Sequence, residues 1–126
     1  MAQPSKSITV LHIDSDQAFL EVSKGILSML GDFKVDSAPT AKHADQLLKE
    51  REYDVIISAY YLNDTNGIEY LNRLKLSNIK SLLVLFTVHD ETAKQASEAG
   101  LHFIGKYGDP ETIFTELCQI LQSVKL

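Results

Sequence analysis

Five times along this chain, a short run of β-branched and aliphatic residues gives way to a stretch whose apolar residues recur every three or four positions. Few architectures accommodate that alternation. The most restrictive run is Asp54–Ala59 (DVIISA), which has too many consecutive apolar residues for a strand with one wet face, so it is expected to be central and covered on both sides. Around it the other units read in order. Ile8–Ile13 is a strand that stops at Asp14-Ser15-Asp16, followed by a helix with Ala18, Phe19, Val22, Ile26, Leu27 and Leu30 as its stripe and Gly31 as a left-handed stop. Phe33–Ala38 is a second strand, and Thr40 caps a helix carrying Ala41, Ala44, Leu47 and Leu48 on one side. After the central strand come the loop Tyr60–Asn66, the Asn-Gly pair at 66–67 and a helix with Ile68, Leu71, Leu74 and Leu76 as apolar positions. Ser81–Thr87 is the fourth strand, with Asp90 capping a helix that runs to Ala99 and stops at Gly100. Leu101–Lys106 is the fifth, and Asp109-Pro110 opens a last helix with Ile113, Phe114, Leu117, Ile120, Leu121 and Val124 inward.

Units of about 20–25 residues with right-handed crossovers build a doubly wound, five-stranded parallel sheet with helices on both faces, an α/β class. They share no residue-level repeat, which argues against a stacked solenoid. With 126 residues the chain is expected to form one domain, 1–126, with 1–7 as a flexible N-terminal segment. Twelve Lys and Arg against seventeen Asp and Glu give a net charge of −5, which disfavours nucleic acid and anionic membranes as partners. The longest apolar run, Leu82–Phe86, is too short to span a bilayer and no hydrophobic signal region opens the chain, so a cytoplasmic location is expected. The single cysteine, Cys118, is read as a reduced core residue.

Ligands of such sheets bind beyond the carboxyl ends of the strands. Those ends carry Asp14, Ser15 and Asp16 after strand one; Ser58, Ala59 and Tyr60 after strand three; Thr87 after strand four; and Lys106 after strand five. Carboxylates, a hydroxyl and an amine together suit a divalent cation or an oxyanion.

The run HIDSDQAFLEVSKGIL, the segment YDVIISAYYLNDTNGIEYL, Thr87 closing strand four and FIGK closing strand five resemble the receiver domain of two-component response regulators, over roughly residues 8–121. The resemblance implies a flavodoxin-like strand order 2-1-3-4-5 and a strand-three aspartate that takes a phosphoryl group from a phosphohistidine, with Mg²⁺ offsetting charge on its oxygens. By the same resemblance Asp14 is the first of the paired acids, Thr87 the switch hydroxyl, Lys106 the phosphate-binding amine and Phe103 the switch aromatic. Two parts are missing. The second acid falls on Ser15 and the phosphoacceptor on Ala59, whose methyl group has no lone pair to donate. Mg²⁺ is therefore expected to bind weakly at most, through Asp14 and Asp16, and no cofactor or enzymatic activity is expected. Leu62-Asn63-Asp64 stands where the family commonly has Met-Pro-Gly, and Tyr107 where a proline is frequent. Lys106 is expected to pair with Asp14, since an ammonium among apolar groups alone would cost several kcal/mol.

Plainer roles stand beside these. Asp14 and Asp16 suit a turn and a helix cap, Thr87 a β-branched filler and Phe103 plain core. Ser58 and Asp64 are poor substitutes for the acceptor, one facing away from Ala59 and the other out in a loop. His12, His43, His89 and His102 have no paired ligand spacing, so no zinc site is expected. Tyr60-Tyr61 reads equally as a partner anchor or as half-buried loop packing.

The resulting expectation is a receiver-like signalling domain that cannot be phosphorylated and works by docking. Its implied partners are a histidine kinase, another receiver or an output domain, on the same parent chain or separate. The implied face is Asp90–Ala99, Leu101–Lys106 and Pro110–Val124, which would also serve a homodimer. One alternative is an ordinary receiver blocked by an introduced Ala59, against which Ser15 speaks, since a single change would leave the acidic pair whole. Another is a small-ligand binder on a flavodoxin-like sheet, where Asp14-Ser15-Asp16 would repel a flavin phosphate.

Overall fold

The computed structural model describes residues 7–106 and 108–124; the segment 1–6 and Tyr107 lie outside the described residues. Five strands, β1 (Ile8–Ile13), β2 (Phe33–Ala38), β3 (Val55–Ser58), β4 (Leu82–Thr87) and β5 (His102–Gly105), alternate with α1 (Gln17–Leu30), α2 (Ala41–Glu50), α3 (Gly67–Leu76), α4 (Ala93–Glu98) and α5 (Pro110–Ser123). Every strand pairing is parallel and the order is β2-β1-β3-β4-β5, the expected doubly wound sheet. All four residues of β3 are buried, which is why its sequence shows no polar alternation.

The strand period of two divides the apolar residues between two cores. Leu11, Ile13, Ile56 and Leu85 face α2, α3 and α4, meeting Ala44, Leu71 and Ala96. Val10, Ile57, Val84 and Ile104 face α1 and α5, meeting Leu27, Phe114, Leu117 and Leu121. Each fully buried Leu or Ile contributes about 1.5–3 kcal/mol relative to exposure, so both layers are needed to fix the sheet. Cys118 is a free, buried thiol on α5, and burial pushes its pKa up.

Several local expectations need correction. The inward face of α1 is Leu20, Ser23 and Leu27; Val22 is 56% exposed and Leu30 46%, because the helix is rotated from the face with the most apolar residues. On α3, Leu76 lies in the last turn, beyond the sheet's cover, and is exposed. Gly31 is extended rather than left-handed, closing α1 through its N–H to the Leu27 carbonyl. Asp90 does not cap α4: Asp90–Thr92 form a 3-10 turn, and α4 starts only at Ala93. Gly100 does take positive φ, at 75°.

Candidate functional site

The parallel register brings the strand ends to one pole. Ile13 stands beside Ser58, so the next residues, Asp14 and Ala59, are neighbours, and the Ala59 N–H donates to the Ile13 carbonyl at 2.9 Å. Thr87 stands beside Gly105, and the Lys106 N–H donates to the Thr87 carbonyl at 2.7 Å. Asp14, Ala59, Thr87 and Lys106 thus gather from four strands.

Asp14 is buried and both its carboxylate oxygens are engaged. Oδ1 accepts from the Asp16 N–H at 2.9 Å, and Oδ2 accepts from Lys106 Nζ at 2.5 Å. The expected pairing is present, with the two side chains only 6% and 14% exposed. The ammonium also lies 4.0 Å from the Phe19 ring centroid and 5.1 Å from that of Phe86, so two aromatic faces complete its surroundings. Ser15 and Asp16 are exposed, and the Asp16 carboxylate accepts from the Phe19 N–H as the cap of α1. The Thr87 hydroxyl is buried and accepts from the His89 N–H at 3.2 Å. Phe103 is partly buried, packed against the core on the α2–α4 side.

The two residues weighed as substitute acceptors are otherwise engaged. Ser58 donates its hydroxyl to the Ala59 carbonyl at 2.8 Å, and that carbonyl lies against Gly67, where a Cβ would collide with it. Only glycine allows so close a return from β3 into α3. Asp64 is not loose in its loop: it accepts from the Ala41 and Lys42 N–H groups at 3.0 and 2.9 Å, the first two turn positions of α2. Partial desolvation raises its pKa, but these N–H bonds outweigh that and hold the carboxyl below its usual range.

Sequence reasoning missed two residues of this site. Phe19 read as one more position of the α1 stripe, and His12 as an isolated histidine. His12 is wholly buried beneath the site, its ring 5.9 Å from Phe19 and 6.0 Å from Phe86, with neither nitrogen hydrogen-bonded. Burial first, and then the Lys106 charge, push its pKa from 6.5 down to about 3, so the imidazole is neutral. The alternation of β1 was the available signal, since it puts His12 on the same face as Ile8 and Val10. At the rim the rings of Tyr60, Tyr61 and His89 touch one another, with Tyr61 exposed.

With this geometry in view, comparisons with known proteins give consistent results. The family model described as "Response regulator receiver domain" matches residues 10–117. A search of curated proteins gives no match. Among solved structures, the chain is similar to the signal receiver domain of an HD domain-containing protein from Pseudomonas fluorescens Pf-5, at 26% identity and a TM-score of 0.81, covering 99% of this chain and 94% of that one. It is also similar to a Francisella response regulator receiver domain, at 21% identity and a TM-score of 0.82 over 94% and 96% of the two chains. The chemotaxis response regulator CheY4 of Vibrio cholerae matches at 18% identity and a TM-score of 0.80, over 91% and 99%.

Proposed function

This chain belongs to the response regulator receiver domain family, and on that ground we propose that it is a receiver that signals by docking without accepting a phosphoryl group. Receivers of two-component systems interact with histidine kinases and output domains. The observation that carries the proposal is the closed pair at the strand ends: Lys106 holds Asp14 beside the Ala59 methyl. Phosphoryl transfer in the family needs a carboxylate to attack phosphorus and acidic oxygens to hold Mg²⁺. Ala59 has no lone pair, and Ser15 is an exposed hydroxyl where the second acid would stand.

The residues present do not fit the metal. Mg²⁺ asks for near-octahedral oxygen ligands. One oxygen of Asp14 is spent on the ammonium and the other on a backbone N–H, while Asp16 is engaged as a helix cap. The Lys106 charge itself would repel a cation entering there. In this reading Lys106 does part of what the metal does elsewhere in the family, neutralising Asp14 permanently. Docking is assigned to the face of α4, β5 and α5, toward a kinase, another receiver, an output domain or a second copy. Among the described residues no helix is long and apolar enough to cross a membrane.

The test is incubation with Mg²⁺ and acetyl phosphate, and separately with Mg²⁺ and beryllofluoride, followed by intact mass and backbone NMR. The mass is expected to stay unchanged, with the amide signals of Ala59, Thr87 and Lys106 unmoved. A stoichiometric phosphoryl adduct would overturn the proposal.

A further inference from the structure

The loops after β1, β3 and β4 are neighbours at the carboxyl pole because those strands are adjacent in the sheet. Residues 14–16, 59–66 and 88–92 contain no Lys or Arg, and they carry Asp14, Asp16, Asp64, Asp90 and Glu91. Asp14 is paired with Lys106, and Asp16 and Asp64 serve as helix caps of α1 and α2, which leaves Asp90 and Glu91 as exposed carboxylates outside those roles. Next to His89, which Glu91 approaches, is apolar surface that the fold does not use: Tyr61 is 63% exposed and Val88, the sequence neighbour of His89, 57%. The Tyr61 ring is already held, meeting Tyr60 edge-on at 4.9 Å and His89 edge-on at 4.7 Å, with Glu91 3.3 Å from His89 Nδ1. A flat ring fixed in place, largely open to solvent and near a carboxylate costs little further ordering when a partner covers it.

We propose that this aromatic patch docks an arginine-bearing segment of a partner protein. A guanidinium is planar and weakly hydrated, so it can pack on the exposed part of the Tyr61 ring while its N–H groups donate to the Asp90 and Glu91 carboxylates. An ammonium satisfies the charge but not the stacking, and an acidic segment is repelled. The inference rests on the reading that this chain acts by docking, but it places the contact on a second surface and names the partner's chemistry.

The test is an NMR titration of the ¹⁵N-labelled full chain with short peptides alternating alanine with arginine, with lysine or with glutamate. The arginine peptide is expected to give saturable shifts centred on Tyr60, Tyr61, Val88 and His89, weakening as salt rises. The lysine peptide is expected to bind severalfold more weakly and the glutamate peptide not at all. Tyr61→Ala, an exposed position that leaves the core intact, is expected to weaken the arginine peptide by about fivefold, while Tyr61→Phe keeps the ring and the affinity. Joint Asp90→Asn and Glu91→Gln replacement is expected to reduce both affinity and salt dependence. Equal binding of arginine and lysine peptides that ignores Tyr61→Ala would overturn the proposal, as would no shift at all. So would patch shifts that follow protein concentration without peptide, since a second copy would then be the occupant. A phosphoryl adduct in the preceding test would leave these outcomes unchanged, so the two readings fail separately.

Discussion

The most consequential single residue is Lys106. Its ammonium is almost out of solvent, yet it faces one carboxylate oxygen and two aromatic rings, so its charge is compensated where water is scarce. Removing one member of such a pair strands the other. Lys106→Met is therefore expected to lower the unfolding free energy by about 3 kcal/mol, read from urea titration with an unchanged slope. The double variant Asp14→Asn with Lys106→Met leaves no bare charge, and is expected to lose clearly less than the single lysine change. If both variants lost the same amount, the interaction would be packing of the lysine stem rather than charge compensation.

At the scale of elements, α2 shows how a helix terminus can be completed from far along the chain. Thr40 caps the His43 N–H, and Asp64, 23 residues after Ala41, takes the Ala41 and Lys42 N–H groups, so the first turn leaves no donor without a partner. Asp64→Ala is expected to cost about 1 kcal/mol and to increase amide exchange in the first turn of α2. Asp64→Asn, which keeps an acceptor, is expected to recover part of that. The Thr40, Asn66 and Asp109 caps lie one residue before their helices, and Thr40 and Asp109-Pro110 were legible in the sequence. The Asp64 cap was not, because no local pattern connects a β3–α3 loop to the start of α2. The same limit explains α1: six apolar residues suggested one stripe, whereas packing turned Val22 and Leu30 outward and buried Ser23, a hydroxyl with no hydrogen-bond partner. The cap of α4 moved two residues, from Asp90 to Thr92, because Thr92 spends its hydroxyl on the His89 carbonyl, tightening Asp90–Thr92 into a 3-10 turn. Of the site, Asp14 and Lys106 could be paired once the topology was known, because both lie at the carboxyl pole of the sheet and the lysine stem is long enough to reach across from β5 to the end of β1. The Phe19 and His12 contacts depend on side-chain packing across two layers, and periodicity recorded those residues only as members of a stripe and a strand.

For the molecule as a whole, the buried layer and the surface caps respond to acid in different pH ranges. The layer under α1 and α5 contains a neutral imidazole, His12, while the exposed poles carry carboxylates engaged as caps. In the unfolded chain His12 takes up a proton near pH 6.5, but in the folded chain only near 3. Between those values unfolding absorbs a proton, so stability falls as pH falls, with a limiting slope of about 1.4 kcal/mol per pH unit. Asp64 and Asp109 act in the same direction but lower: backbone N–H bonds depress both carboxyls, so their contribution is present above the unfolded carboxylate pKa and is lost only in stronger acid. The two windows are separable. Urea unfolding measured from pH 7 to pH 4.5 is expected to show the histidine slope alone. His12→Leu should flatten that slope and, by removing two nitrogens that lack partners, leave stability at pH 7 equal to or about 1 kcal/mol above that of the parent chain. A slope that survived His12→Leu would place the proton uptake elsewhere, and would mean that the layer beneath Lys106 tolerates a charged ring.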